Sequence, residues 1–374
     1  MDDHNVVFVG IDTSKSSHAV ATASAGRDGE VRFWGEISSD EAAVRKLVKR
    51  LKTKASRLVC CYEAGPTGYG LYRLLLSLGC ECSVVAPSQT PRKPGDRVKT
   101  NRRDALSLAR LLRAGELTPV WVPDERHEAM RDLARTRASV AQDRRVKRQQ
   151  IGALLLRLGR IYPRQRTWRG AHLAWLRGQK FEHWEQRFAF EELLGALHQA
   201  EERLKRLEEA MRQAFETWSL APQARALMAM RGFDFLSATT FYAEAGDLSR
   251  FAHPRDLMGW LGLTPAESST GAKTRRMSIT KAGNKLARKT LIESAWSYRY
   301  PARVNAKKAK LIEKASPEAA EIAWKAQTRL AARYRKLLGS GKRSTVAVTA
   351  VARECAGFIW ALDRSTNASA RKPD

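Results

Sequence analysis

The chain has 374 residues, enough for more than one hydrophobic core, so two domains and a connector are expected. Its 67 lysines and arginines against 39 acids give a net charge of +28 and a pI near 10.4. An excess of that size repels itself in a compact state and attracts polyanions; this argues against an enzyme of small metabolites and for nucleic acid as the partner, bound in a salt-sensitive way. No apolar run approaches membrane-spanning length. The opening segment MDDHNVVFVG has acids where a signal peptide would be basic. The expectation is a cytoplasmic, nucleoid-associated protein with no membrane partner. The five cysteines, Cys60, Cys61, Cys80, Cys82 and Cys355, lie mostly in apolar runs. Cys80-Glu81-Cys82 has no second pair to complete a zinc site, so reduced, buried thiols are expected.

In chain order, Val6 to Ile11, Val31 to Ile37, Leu58 to Tyr62 and Cys82 to Ala86 read as strands, with helices over Ala42 to Leu51 and Tyr69 to Leu78. The alternation predicts an α/β domain over residues 1–125. Residues 126–220 have few glycines and almost no strand signal. Leu193, Leu197, Ala200, Leu204, Leu207, Met211 and Ala214 form an a/d heptad seam. That seam reads either as a helix packed on its own domain or as an intermolecular coiled coil. Residues 126–180 carry fifteen lysines and arginines against three acids, a balance of +12. From Arg160 to Trp184, arginines including Arg164, Arg166 and Arg169 are interleaved with Tyr162, Trp168, Trp175, Phe181 and Trp184. Such planes either stack on unpaired bases or fill a core; the first reading is the favoured one. Residues 221–374 form a third, mainly helical unit, with helices over Pro317 to Leu338 and Ser344 to Trp360 and a polar, frayed last dozen residues. Residues 271–310 hold twelve lysines and arginines against one acid, a balance of +11. Arg231-Gly232-Phe233, between two helical segments, reads either as a helix-hairpin-helix turn on DNA phosphates or as an ordinary helical hairpin.

Three segments put acids where chemistry could use them. Asp12 ends the first strand, Glu63 ends a later one, and Asn101 and Asp104 lie three apart on one face of a predicted helix. Carboxylates gathered by a fold are costly unless a cation neutralises them, and Mg²⁺ or Mn²⁺ prefers such oxygen donors. Downstream, Glu267-Ser268-Ser269-Thr270-Gly271 precedes Lys273, Arg275, Arg276 and Lys281. By composition this is a phosphate-binding loop; a serine there needs activation before it can act as a nucleophile.

Taken together, Gly10-Ile11-Asp12-Thr13-Ser14-Lys15, Tyr62-Glu63-Ala64-Gly65-Pro66-Thr67-Gly68 and Lys99-Thr100-Asn101-Arg102-Arg103-Asp104-Ala105 resemble the DEDD-type insertion-sequence transposases. So do Gly262-Leu263-Thr264-Pro265, Glu267-Ser268-Ser269-Thr270-Gly271, Ile279-Thr280-Lys281-Ala282-Gly283-Asn284, Ala350-Val351-Ala352-Arg353-Glu354 and Gly357-Phe358-Ile359-Trp360. The likeness runs in order through nearly the whole chain. It implies a RuvC-like, ribonuclease-H-type α/β N-terminal domain, a helical coiled-coil connector and a mainly α C-terminal transposase domain. It also implies divalent metal on Asp12, Glu63, Asp104 and position 101, where the family expects aspartate and this chain has Asn101. The amide keeps an oxygen donor and loses a charge.

The resemblance further implies that Ser269 cuts DNA through a covalent phosphoserine, with Ser268 and Thr270 as neighbouring alternatives. Acids and serine would then form one composite centre. It implies a bridge RNA, a structured noncoding RNA pairing with donor and target DNA, and a homodimer or homotetramer to hold two DNA partners. Lys99, Arg102, Arg103, Arg164, Arg166, Trp168, Arg169, Lys273, Arg275, Arg276 and Lys281 are the expected nucleic-acid contacts. Two other readings remain open: a RuvC-like nuclease without a serine intermediate, and a nucleic-acid-binding protein impaired by Asn101.

Overall fold

The computed structural model describes residues 5–65, 67–88, 90–91, 100–165, 167–270 and 275–369. It divides into two compact units, Met1–Val122 and Pro123–Asp374. Residues 126–220 fall in the same unit as the C-terminal part of the chain.

The first unit is built on β1 (Val6–Thr13), β2 (Ser17–Ser24), β3 (Val31–Ser38), β4 (Arg57–Glu63) and β5 (Glu81–Val85), in the order β3-β2-β1-β4-β5. β1, β2 and β3 form an antiparallel meander; β4 and β5 add in parallel. This mixed sheet is consistent with the ribonuclease-H-type fold. Helices α1 (Glu41–Lys52) and α2 (Gly70–Ser77) contribute to a core with Val9, Ile11, Leu58, Cys60 and Tyr62. The alternate residues serve the other face. Ala105 and Ala109 of α3 (Asn101–Arg113) pack with Ala19, Ala21 and Ala23. The period-two alternation of strands assigns each residue to one layer or the other.

The approach of α3 to β1 depends on Gly10. A Cβ there would lie 2.3 Å from the Ala109 nitrogen and 2.4 Å from the Ala105 oxygen. No side chain fits, so the helix lies directly on the strand backbone.

The second unit begins with two long helices, α4 (Glu125–Arg157) and α6 (Trp184–Phe215), joined through α5 (Gly170–Arg177). They run antiparallel. Ile151 and Leu155 meet Phe190 and Leu197, Val140 meets Ala200 and Leu204, and Met130 and Ala134 share a core with Met211 and Phe215. Arg137–Glu208 and Arg148–Glu201 ion pairs, at 2.8 and 2.7 Å, flank the seam. The heptad face of α6 is therefore packed against α4 of the same chain.

The remaining α-helices and strands are α7 (Ala221–Leu227), α8 (Phe235–Ala245), α9 (Pro254–Trp260), β6 (Pro265–Glu267), β7 (Arg276–Ile279), α10 (Lys285–Ala295), α11 (Ala306–Ile312), α12 (Pro317–Gly339) and α13 (Ser344–Ser369). α13 is long and apolar enough to cross a membrane by length and composition, which corrects the expectation that no run approaches that length. Its Ala347, Val348, Val351, Ala352, Cys355, Ala356, Ile359 and Leu362 are buried in the core of this unit, at the three- and four-residue steps of a one-faced core helix. The helix continues to Ser369, past the Trp360 end and into the stretch expected to fray, because Asp363 is buried and accepts from Asn367 at 3.0 Å.

One buried charge joins three segments of the second unit. Glu244 of α8 is almost wholly buried and accepts two hydrogen bonds from Arg135 of α4, at 2.7 and 2.9 Å, and one from Asn284 at 2.5 Å. Burial alone would raise its carboxyl; the bonds from Arg135 and Asn284 outweigh that and hold it below the usual carboxylate range.

Two expectations follow. Gly10→Val should destabilise the first unit by about 3 kcal/mol or more, through overpacking against α3; thermal unfolding of the full chain reads it as loss of the transition of that unit. Arg135→Met should cost the second unit about 2 kcal/mol, because Arg135 is half-exposed and its loss strands a buried carboxylate. Since Glu244 has a depressed folded pKa, its contribution is present above the ordinary value of 4.5 and fades as pH falls through the folded value. Denaturant titrations should thus show wild type and variant converging in acid and separated at pH 7.

Candidate active site

The acidic residues are brought to one face of the first sheet. In the parallel pairing of β1 with β4, Gly10 lies opposite Cys61 and Ile11 opposite Tyr62, so Asp12 and Glu63 come level at the ends of neighbouring strands. Gly10 faces α3, and Cys61 points its thiol at the Leu108 carbonyl of α3, 3.7 Å away. Two residues further on, Asp12 and Glu63 take that same face. α3 supplies the third acid. Thr100 caps it by accepting from the Arg103 nitrogen at 3.3 Å, which places Asn101 at its first position and Asp104 in its first turn, four residues before Leu108.

The loop after Glu63 folds back on the end of β1. Thr67 donates to the Thr13 hydroxyl at 3.3 Å, and the Tyr62 hydroxyl donates to the Gly68 carbonyl at 3.0 Å. Asp12, Glu63 and Asp104 are half-buried; Asn101 is exposed. As donors, three carboxylates and an amide oxygen suit a hard divalent cation. Among the described residues no three His, Cys, Asp or Glu side chains stand close enough to hold one ion together. The face is shared, and side-chain rotation would still have to close the ligand set. Arg102, in the first turn of α3, lies with its guanidinium 5.3 Å from the Phe33 ring, and Arg103 is exposed. Lys99 lies outside the described residues.

In the second unit, Ser269 follows the β6 strand of a small antiparallel hairpin in which Glu267 pairs with Arg276. The Ser268 nitrogen donates to the Arg275 carbonyl at 2.9 Å. Ser269 is exposed, and its hydroxyl donates to the Glu267 carboxylate at 2.7 Å. The sequence marks the serine; its hydrogen-bond acceptor becomes visible only when the strand end is formed. Arg275 and Lys281 are exposed beside the hairpin. Lys273 and the Arg276 side chain lie outside the described residues.

Two glycines lock the base of this hairpin. A Cβ on Gly262 would lie 2.1 Å from the Ala282 oxygen, and one on Gly283 would lie 1.9 Å from the Trp260 oxygen; both have positive φ, +63° and +89°. Lys281 is also left-handed, at φ 55°, and its nitrogen donates to the Gly262 carbonyl at 3.1 Å. Such a conformation in a non-glycine residue is uncommon and marks a held backbone. Pro265, Met277, Ile279 and Lys281 then form one wall of a groove of about 780 Å³, with Arg333 and Arg353 across it.

The basic aromatic stretch turns much of its aromatic surface inward. Trp168, Trp175 and Phe181 pack on the core formed by Ile151, Leu155, Leu176, Phe190 and Leu197. Arg148 lies over Trp168 at 5.0 Å and Arg160 over Phe181 at 4.3 Å. Arg164, Arg169 and Trp184 are exposed; Arg166 lies outside the described residues. The Arg231-Gly232-Phe233 turn is braced by Lys308, whose ammonium donates to the carbonyls of Met228, Met230 and Phe233 at 2.6, 3.0 and 2.8 Å. Burial pulls that ammonium down to about 8.

With these geometries in hand, the comparisons with known proteins are specific. Residues 9–159 match a family profile for the DEDD transposases of IS110 type, described as a transposase. Residues 224–310 match a second, described as the IS116/IS110/IS902 family of transposases. A Sinorhizobium fredii (strain NBRC 101917 / NGR234) protein named as transposase y4qE is 54% identical over 97% of this chain and 90% of its own length. The transposase for insertion sequence element IS1533 of Leptospira borgpetersenii is 32% identical over 79% of this chain and 86% of its own. The transposase for element IS1328 of Yersinia enterocolitica is 25% identical over 79% and 84%. The chain belongs to the IS116/IS110/IS902 family of insertion-sequence transposases and is a DNA transposase.

Proposed function

We propose that this transposase cuts and exchanges DNA strands through a phosphoserine on Ser269. The observation that carries the proposal is the exposed Ser269 hydroxyl donating to Glu267 at 2.7 Å. A serine hydroxyl is a weak nucleophile until a base takes its proton, and Glu267 is the group placed to accept it. As the bond from Oγ to phosphorus forms, the bond from phosphorus to the leaving nucleoside oxygen breaks, and that oxygen leaves as a hydroxyl. The reverse exchange, with a hydroxyl from the partner strand attacking the phosphoserine, frees Ser269 and restores a phosphodiester. One bond is made for each broken, so no nucleotide cofactor is consumed. Arg275 and Lys281 supply positive charge beside the hairpin for the developing phosphorane.

Asp12, Glu63 and Asp104, with the Asn101 amide oxygen, would hold a divalent cation. When bound, it supplies charge neutralisation and polarisation for phosphoryl transfer. Support for the ligand set is the shared face of β1, β4 and α3. A structured bridge RNA that pairs with donor and target DNA, and assembly of two or four copies around them, complete the proposal. The net charge of +28 supports the polyanionic partners. The α6 seam does not support the assembly, since α4 covers it.

The test mixes the protein with terminal DNA of its element, the candidate noncoding RNA and Mg²⁺, and looks for a detergent-resistant protein–DNA adduct. The adduct should form with wild type and vanish in Ser269→Ala. In Glu267→Gln it should form about 10²-fold more slowly or worse. Cleavage that survives Ser269→Ala without an adduct would establish the simple nuclease instead. Asn101→Asp restores a ligand charge and should lower the Mg²⁺ concentration for half-maximal cleavage by roughly tenfold. An unchanged metal requirement would remove position 101 from the ligand set.

A further inference from the structure

A second basic feature lies apart from the serine hairpin and includes Gly232 of the Arg231-Gly232-Phe233 turn. The second unit holds a polar cleft of about 560 Å³. One wall is α4, which presents Arg137, Arg144, Arg145 and Arg148; the other includes the first turn of α8 and, from α10, Lys289. Steps of seven and four put Arg137, Arg144 and Arg148 on one helical stripe.

The outer two of that stripe have acid partners on α6, Glu208 and Glu201. Arg144 stands between them and makes no hydrogen bond or ion pair among the described residues, and the same holds for Arg145. The acids on the cleft wall do not answer this charge. Asp234 is spent in the capping box of α8, bonded to Ser237, and Glu293 lies 3.9 Å from Lys289. Burial and then the neighbouring Arg148 pull the Arg144 guanidinium below its ordinary value, outweighing the opposite pull of Glu201 and Glu208, which are bonded to its neighbours on the stripe.

A half-buried guanidinium that no acid bonds directly keeps its donors open to an anion entering a roomy cleft. We propose that this cleft holds the sugar-phosphate backbone of a nucleic-acid strand, with Arg144 as its principal phosphate contact and Lys289 on the facing wall. The inference rests on the reading of the chain as a protein that acts on nucleic acid, and adds to it where a strand lies. Phosphodiesters come from element DNA or from a noncoding RNA, and both offer the same anion.

Fluorescence anisotropy on the full chain, over a salt series, tests it with three probes: a 20-mer single-stranded DNA, the RNA of the same sequence, and the duplex DNA. Arg144→Gln should weaken binding of at least one probe about five- to tenfold and flatten its salt dependence by about one phosphate contact. The probe that loses affinity identifies the source of the strand. Lys205→Gln, on an exposed α6 side chain paired with Glu202, should stay within about twofold of wild type. If Arg144→Gln fails to fold by circular dichroism, the exposed Arg145→Gln and Lys289→Gln carry the same expectation. Unchanged affinity and salt slope in the folded cleft variants, with wild type binding well, would overturn the cleft alone. Wild type that binds none of the probes would overturn both this inference and the wider reading.

Discussion

A helix can lie on a strand backbone only where the strand offers no side chain. Gly10 is that place in β1, and the rest of the acidic face follows from it. With α3 seated on Gly10, the first turn of α3 falls near the strand ends, and the alternation of β1 and β4 points Asp12 and Glu63 toward the same layer. The three carboxylates thus share a face through backbone geometry alone, before any cation is considered. Among the described residues their side chains do not stand close enough to hold one ion together; the face itself is held by the alanine contacts between α3 and β2 and by the apolar core on the opposite side of the sheet.

The second unit solves a related problem by a different device. Ser269 sits on an exposed hairpin of two short strands, and such a hairpin has little stability of its own. Its base is held by Gly262 and Gly283, each pressed onto the other segment's backbone, and by Asn284, which caps α10 and reaches the buried Glu244. Through Arg135 that carboxylate also engages α4. The motif residues around positions 262 and 283 are therefore a backbone lock, and the ion pair behind them ties the lock to the long helices.

Much of this was legible in the residues. The strands around Asp12 and Glu63, the helix bearing Asp104 and the long C-terminal helices announce themselves by periodicity and by ordered motifs. β2 did not, because His-Ala-Val-Ala-Thr-Ala has weak β-propensity and no polar alternation; it is buried in mid-sheet, where both faces are covered. The heptad seam of α6 had two readings that period alone cannot separate, since a partner helix in the same chain and one in another chain make the same demand on a and d positions. The tryptophans of 160–184 are similar: composition shows basic and aromatic residues together, but whether an indole faces bases or a core depends on which long-range residues, here Phe190 and Leu197, arrive beside it. The bond of Glu267 to Ser269 and the position of Arg144 were not legible for a third reason. A hydrogen bond to Ser269 needs the strand end, and an unpaired arginine stands out only once its neighbours on the stripe have found their acids.

The central claim is that Ser269 is the atom-level point of attachment to DNA. Mass spectrometry of the proteolysed protein–DNA adduct measures this most directly. A nucleotide phosphate on the peptide containing Ser269, localised to that residue by fragmentation, is the predicted result. A nucleotide on any other side chain, or cut DNA with every peptide unmodified, would contradict the account.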